Sequence, residues 1–293
     1  MTDLQRQNKR IAEEWRSCVV SSQKWYKVNN QAGAHFEAVQ GEAGGYFVTS
    51  DVLQRRCYMK PAKTLSGTRD HRINRERARA AREKIAADLA HDLHLPVPPV
   101  ILHRREGEDV TSSRQVSISL VMYPKQWPWA QVSGLSLEEE SPITAAMAKV
   151  LSLASGMYVF DTWLDQRDHE FSPHNIVWGY ESGALEQSEL IFLDFAHSLG
   201  SDGGDEFPND WSGGGWKPVC KAGFPALLRR HLDGKRIENV VRAIEHLSED
   251  EIVNVVERVP KDFLPPDQAD TMIEGLLGRR ICLRSTFADL LPN

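Results

Sequence analysis

Hydrophobic and polar residues alternate with two different periods along the chain, and each period predicts a type of element. Ile11, Trp15 and Val19 recur every four residues, which predicts an N-terminal helix. Short apolar runs separated by glycine-rich turns follow this helix. They predict strands near residues 35–39, 46–49 and 57–60, the last of them ended by Pro61, which cannot donate a backbone hydrogen bond.

The clearest helical pattern covers residues 74–93, where apolar side chains recur at intervals of three and four. These side chains are Ala78, Ala81, Ile85, Leu89 and Leu93. Prolines in LHLPVPPV end the predicted helix. The runs ILHRR and SRQVSISLVMYP then predict two more strands, so that the first part of the chain combines a sheet with packed helices.

The second part of the chain is mainly helical in pattern. Ser141 and Pro142 predict the start of a helix, with serine as the N-cap and proline at the first helical position. The apolar runs NIVW and LIFL flank a turn at ESG and predict a hairpin, and helical patterns dominate from Pro225 onward. We therefore predict an α+β fold with a sheet-rich lobe over residues 1–124 and a mainly helical lobe over residues 125–293.

Composition limits the class of protein. The 293 residues are 41% hydrophobic and 26% charged, which is typical of a globular protein, and the net charge is −6 at pH 7. No apolar run approaches the roughly 18 residues that a bilayer requires, and the N-terminus is too charged for a secretory signal. The four cysteines are scattered singly. We expect a cytoplasmic protein with reduced thiols and no membrane partner, and the acidic charge argues against a dedicated nucleic-acid binder.

Lys60 ends the predicted strand CYMK, and glutamates follow on the next predicted helix. A kinase needs an ammonium group on a strand to hold the α- and β-phosphates of ATP, and a helix glutamate to position that ammonium. Glu76 and Glu83 are seven residues apart, so both lie on one helix face. Taken alone, this pattern is more typical of solvated surface charges.

Two later segments carry further polar groups suited to the same chemistry. In the loop before NIVW, Asp168 could accept a proton from a substrate hydroxyl, and the Asn175 carboxamide could bind Mg²⁺. Asp194 ends an apolar strand, where a carboxylate must be solvated, paired or bound to metal. The order strand lysine, helix glutamate, Asp/Asn loop and strand-end aspartate is that of kinase folds. The predicted hairpin would place Asn175 and Asp194 at one end.

With these motifs, the chain resembles HipA-like kinases, particularly the short branch related in fold to phosphatidylinositol kinases. EKIAADLAHDLHLPVPPV resembles a helix of that family, and LIFLDFAHSLG resembles its metal-binding strand. VFDTWLDQRDHEFSPHNIVW resembles its catalytic loop, F-D-x-W-I-x-N-T-D-R-x-x-x-N. The resemblance covers roughly residues 30–285 and implies a bilobal protein-kinase-like fold that uses ATP with Mg²⁺ or Mn²⁺.

The resemblance also implies a role for each candidate residue. Lys60 would bind the phosphates, and the position of the Leu-Pro-Val-Pro segment selects Glu83 as its partner. Asp168 would be the catalytic base, and Asn175 and Asp194 would bind the metal.

The nucleotide itself would contact two further segments. Val121 to Tyr123, after an apolar strand, would form the hinge that binds adenine through backbone hydrogen bonds. Gly33, in QAGAH, is the best candidate for a phosphate-binding loop.

The chain departs from the family pattern within the catalytic loop. Asn175 follows Asp168 by seven residues, two more than in the family, and the insertion contains Pro173. Gln166 and Arg167 stand where the family has Asn-Thr. An ATP-binding pseudokinase is therefore an alternative to an active enzyme.

The sequence does not identify the phosphate acceptor, but the resemblance and the absence of a basic amphipathic pattern favour some classes of acceptor over others. HipA-like proteins include protein serine kinases, whereas relatives of the fold phosphorylate lipids and small molecules. No basic amphipathic helix favours a lipid surface. We therefore expect a serine or threonine hydroxyl of a protein, or a small polar acceptor, with a small-molecule or lipid kinase as the alternative.

Two other classes rest on charged clusters. A metal-dependent hydrolase would use Asp165, Asp168, His169, His174 and His197, although they show no HExxH spacing. A nucleic-acid or partner-binding module would use Arg72, Arg75, Arg79 and Arg82. Glutamates fall among these arginines, which is more typical of a solvated helix face.

Overall fold

The computed structural model describes residues 2–28, 45–61, 69–104, 115–128, 144–166, 168–181, 188–200, 216 and 219–292. Gly33 and the strand predicted near residues 35–39 lie outside these ranges. Within them, no helix combines the length and the apolar character needed to cross a membrane.

The predicted N-terminal helix is present as α1 (Asp3–Cys18). Thr2 and Gln5 form a capping box at its start, in which each side chain bonds the other residue's backbone N–H. Ile11 and Trp15 are buried, as their spacing predicts. Val19 ends the helix with a positive φ of 51°.

In the described residues, a six-stranded sheet forms the centre of the N-terminal part. Its strands are β1 (Val20–Ser21), β2 (Trp25–Lys27), β3 (Tyr46–Ser50), β4 (Cys57–Pro61), β5 (Val100–Arg104) and β6 (Gln115–Leu120). Their order is β1-β5-β6-β4-β3-β2, and all neighbours are antiparallel except β1 and β5. The strands predicted at residues 46–49, 57–60 and after the prolines are therefore present.

The two long helices of this part pack on opposite faces of the sheet. Met59 of β4 lies in an apolar cluster with Ile11 and Trp15 of α1. Helix α2 (Arg69–Asp92) buries its predicted apolar stripe with Leu102 of β5. Because successive strand residues point to opposite faces, Lys60 faces the α2 side.

A smaller antiparallel sheet begins the C-terminal part, with the order β7-β8-β9. Its strands are β7 (Lys125–Pro128), β8 (Ile176–Tyr180) and β9 (Ser188–Phe192). Strands β8 and β9 form the predicted hairpin, in which Ile176 pairs with Phe192. The lobe boundary that we predict after residue 124 would fall between β6 and β7.

The other described residues of this part are mainly helical, as predicted. Its elements are α3 (Ala145–Leu153), α4 (Ser155–Leu164), α5 (Asp168–Phe171), a 3-10 turn (Pro173–Asn175), α6 (Ala226–Arg230), α7 (Gly234–His246), α8 (Glu249–Glu257) and α9 (Pro266–Thr286). Every residue of α4 is buried, which makes this helix the core of the part.

The helix start predicted at Ser141 lies outside the described residues. Helix α3 begins at Ala145, because the Thr144 side chain accepts a hydrogen bond from the Met147 backbone N–H and acts as the N-cap. The helix is also interrupted at Ala154, where α3 ends and α4 begins.

Candidate active site

Lys60 joins three of the four elements that the sequence analysis selected, namely strand β4, helix α2 and the end of the β8–β9 hairpin. Its Nζ donates a hydrogen bond of 2.6 Å to Glu83 Oε1 of α2. The same Nζ lies 3.0 Å from Oδ2 of Asp194, just beyond β9. The Lys60 side chain is 19% exposed and that of Glu83 only 5%, so this ion pair is largely protected from water.

The charges of these three groups depend on one another. Burial by itself would lower the pKa of Lys60, but the carboxylates of Asp194 and Glu83 outweigh it and raise that pKa above its usual value. Burial raises the pKa of Glu83, partly opposed by Lys60. Burial acts in the same direction on Asp194, but the Lys60 ammonium outweighs it and holds the pKa of Asp194 below its usual range. Lys60 and Asp194 are therefore both charged at neutral pH.

The backbone turns sharply at Asp194. Its φ of 64° lies in the left-handed region, which aspartate tolerates better than most residues. Gln166 Nε2 donates a 2.7 Å hydrogen bond to the Asp194 carbonyl, and the Ala196 N–H bonds Oδ1 at 3.4 Å. These bonds hold the carboxylate where it meets Lys60.

The two-residue insertion does not separate Asn175 from Asp168. Asn175 Nδ2 donates to Asp168 Oδ2 at 2.9 Å, and Ser172 Oγ donates to Oδ1 at 2.7 Å. The longer loop is accommodated by α5 and the 3-10 turn. The Leu193 N–H bonds the Asn175 carbonyl at 2.8 Å, so Asn175 lies across the hairpin from the residue before Asp194.

His197 lies within electrostatic range of both aspartates and of Arg79 on helix α2. Burial and the charge of Arg79 lower the pKa of His197, and the charges of Asp194 and Asp168 oppose them. Because His197 responds to both carboxylates, Asp168 and Asp194 border the same region of the protein.

A fully buried histidine, His169, links the loop of Asp168 to the residue before Asp194. His169 Nδ1 lies 2.8 Å from Asp161 Oδ2, and its Nε2 lies 2.8 Å from the Leu193 carbonyl. A carbonyl only accepts, so Nε2 carries a proton and donates it. Burial would lower the pKa of His169, but Asp161 outweighs it and raises that pKa. The pair ties α4 and α5 to the end of β9.

These contacts argue against the hydrolase alternative. Both ring nitrogens of His169 are already engaged, so this residue is not available as a metal ligand. Among the residues that the structure describes, no group of three or more His, Cys, Asp or Glu side chains could hold a metal ion.

The predicted hinge links the two sheets. The Val121 N–H bonds the Arg56 carbonyl, and the Val121 carbonyl accepts from Arg55 Nη2 at 3.1 Å. The Tyr123 ring is buried, and its hydroxyl donates to Glu189 Oε2 at 2.9 Å. The Val121 carbonyl oxygen has a second lone pair with which it can accept a hydrogen bond from adenine. The contact between this segment and adenine stays a prediction.

Sequence reasoning missed the residues that support the candidate catalytic groups. Gln166, Ser172 and the Asp161–His169 pair make the hydrogen bonds described above, yet none of them was assigned this role. One signal was available: Asp161 is the single charged residue in the apolar helix SGMYVFDTWL, where a carboxylate requires a partner.

Comparison with solved structures tests the fold independently. The crystal structure of the proinflammatory kinase CtkA of Helicobacter pylori matches this chain with a TM-score of 0.53 and 12% identity. The match covers 92% of this chain and 95% of CtkA. The fold is kinase-like. The predicted bilobal α+β architecture is thereby confirmed, whereas membership of the HipA-like kinases stays a prediction. No family model and no curated protein matches the sequence.

Proposed function

We propose that this protein is an ATP- and Mg²⁺-dependent kinase that transfers the γ-phosphoryl group to a hydroxyl. The observation that carries the proposal is the position of the Lys60 ammonium, 2.6 Å from Glu83 and 3.0 Å from Asp194. A strand lysine paired with a helix glutamate is what protein kinases use to bind the α- and β-phosphates. In this proposal, residues 1–124 and 125–293 form two lobes with the nucleotide between them.

The residues at the end of the β8–β9 hairpin suit Mg²⁺ or Mn²⁺. Asp194 offers an ionised carboxylate, and Asn175 offers its carboxamide oxygen because its Nδ2 donates to Asp168. Hard divalent cations prefer such oxygen ligands, and Mg²⁺ commonly takes only one or two protein carboxylates beside phosphate oxygens. When bound, the metal would neutralise the charge that develops on the β- and γ-phosphate oxygens.

Each protein group then has a distinct task. Lys60 binds the phosphates, and Glu83 orients its ammonium through their hydrogen bond. Asp168 accepts the proton of the acceptor hydroxyl, while the hydrogen bonds from Ser172 and Asn175 fix the orientation of its carboxylate. His169 keeps the loop of Asp168 against Leu193, just beyond β9.

For the acceptor, we propose a serine or threonine hydroxyl of a protein, with a small polar molecule as the alternative. This assignment rests on the resemblance to HipA-like kinases, because the kinase-like fold itself hosts several acceptor classes.

Mass spectrometry after incubation with Mg-ATP tests the proposal. We expect phosphate on serine or threonine residues of the wild-type protein or of an added protein acceptor, and none with Asp168→Asn. A wild type that binds Mg-ATP but transfers no phosphate with either Mg²⁺ or Mn²⁺ would instead identify a pseudokinase.

A further inference from the structure

A buried lysine follows Glu83 on helix α2. The Lys84 side chain is 0% exposed, and its Nζ donates 2.9 Å hydrogen bonds to the Trp15 carbonyl of α1 and to Asp88 Oδ1. Consecutive helix residues are rotated by about 100°. Lys84 therefore points to a different side of α2 from Glu83, and it connects α2 to the C-terminal turn of α1.

Asp88 extends this contact to the helical part of the molecule. Its Oδ2 lies 2.5 Å from Arg258 Nη2, and Arg258 is the C-cap of α8. A series of polar contacts thus crosses three helices, with hydrogen-bond acceptors and cations in alternation. It consists of the Trp15 carbonyl, Lys84, Asp88 and Arg258. We call Lys84, Asp88 and Arg258 the brace.

The buried apolar side chains of α2 are mostly small, so polar contacts such as the brace contribute to fixing the position of this helix. Six of its buried residues are alanines. They are Ala78, Ala80, Ala81, Ala86, Ala87 and Ala90. Apart from Ile85 and Leu89, the buried apolar side chains in the described part of α2 are these alanines, which interdigitate little with their neighbours. Apolar packing therefore defines the rotation and axial position of α2 less firmly than larger side chains would. Buried ion pairs add little net stability but can specify one arrangement, because any other arrangement leaves a buried charge unpaired.

We propose that the brace holds α2 in the position that pairs Glu83 with Lys60. Lys84, Asp88 and Arg258 are then positioning residues of the kinase, an inference that rests on the function proposed above. The Lys60–Glu83 pair would be preformed before any nucleotide binds, without a separate activation step for α2.

Arg258→Met is the most informative variant. The Arg258 side chain is 26% exposed and Asp88 keeps its bond to Lys84, so the protein should fold. We expect about tenfold weaker Mg-ATP binding, which corresponds to ~1.4 kcal/mol and lies in the range for coupled networks. Without nucleotide, we expect an amine-reactive ester to label Lys60 faster than in the wild type, because a displaced Glu83 no longer protects its ammonium.

Non-additivity separates positioning from general destabilisation. In a Glu83→Gln background, Arg258→Met should weaken Mg-ATP binding by much less than in the wild type, since the brace acts through Glu83. The matched control is Arg284→Met, which breaks the Arg284–Glu245 pair between α9 and α7. This control should change neither Lys60 labelling nor nucleotide binding.

Lys84→Met/Asp88→Leu provides a second route if Arg258→Met does not fold. Apolar residues often replace a buried ion pair without loss of stability, and here they remove the link to α8. Unchanged Lys60 labelling and Mg-ATP affinity in a folded brace variant would overturn the inference. A wild type that does not bind Mg-ATP would instead contradict the proposed function, and the labelling comparison would still test the brace.

Discussion

At the scale of single residues, the central feature is the Lys60 ammonium group between two carboxyl groups whose pKa values are shifted in opposite directions. Burial raises the pKa of Glu83, whereas Lys60 holds the pKa of Asp194 below its usual range. The site thus keeps an ionised carboxylate and an ammonium where a phosphate and a divalent cation would need them. Three predictions follow from this arrangement.

Lys60→Met leaves Glu83 and Asp194 without their cation. We expect the free energy of unfolding at neutral pH to fall by about 1–3 kcal/mol, below the ~3–5 kcal/mol of a fully buried pair, because Asp194 is 30% exposed. Mg-ATP binding should weaken as well. In urea denaturation, the double variant Lys60→Met/Glu83→Met should regain stability, while its nucleotide binding should stay weak.

Asp168→Asn and Asp194→Asn should separate catalysis from binding. Asp168 acts on the acceptor, so its variant should lose phosphoryl transfer while calorimetry finds nearly unchanged Mg-ATP binding. Asp194 faces the proposed metal, so its variant should lose both transfer and the Mg²⁺ dependence of binding. Transfer by Asp168→Asn at the wild-type rate would show that Asp168 is not the base; Asp165 would then be the next residue to test.

The lowered pKa of Asp194 predicts a pH dependence of stability. A carboxyl whose folded pKa is depressed contributes stability that is fully present above its ordinary pKa of about 3.9 and is lost as the pH falls further. The unfolding free energies of the wild type and Asp194→Asn should therefore differ at pH 7 and converge in acid. A difference that stays constant from pH 7 to pH 3 would contradict the ion pair with Lys60.

At the scale of elements, the sequence predicted the helices and strands whose formation depends on the local pattern of hydrophobic and polar residues. Helix α1, the stripe of α2 and the β8–β9 hairpin follow from periods of about 3.6 and 2 and from turn residues. The N-cap at Thr144 was not predicted, because serine and threonine are both suitable caps and Ser141 and Thr144 both precede Ala145. The brace could not be predicted either, since Arg258 is distant in sequence from Asp88.

The buried Asp161–His169 pair is the best test of how α4, α5 and β9 are held together. Asp161→Asn removes the carboxylate that lies 2.8 Å from His169 Nδ1. We expect the free energy of unfolding to fall by about 1–3 kcal/mol and phosphoryl transfer to slow, because the loop of Asp168 loses its support. His174→Asn, at an exposed position two residues beyond Ser172, is the control and should change stability by less than ~0.5 kcal/mol.

At the scale of the whole molecule, the two parts are connected by more than the hinge. Arg104 of β5 makes a bidentate pair with Asp262, at 2.8 and 2.9 Å, and Gln115 of β6 donates to the Asp262 carbonyl. Together with the brace, these contacts join the large sheet and α2 to the helical part. A ligand bound between the two parts should therefore stabilise the protein as a unit.

Thermal unfolding with and without Mg-ATP tests the central claim most directly. Binding to the folded state adds about 2.7 kcal/mol at a ligand concentration 100 times Kd, which should raise the Tm of the wild type by several degrees. The increase should shrink without Mg²⁺ and in Lys60→Met. An unchanged Tm at millimolar Mg-ATP would contradict both the kinase and the ATP-binding pseudokinase.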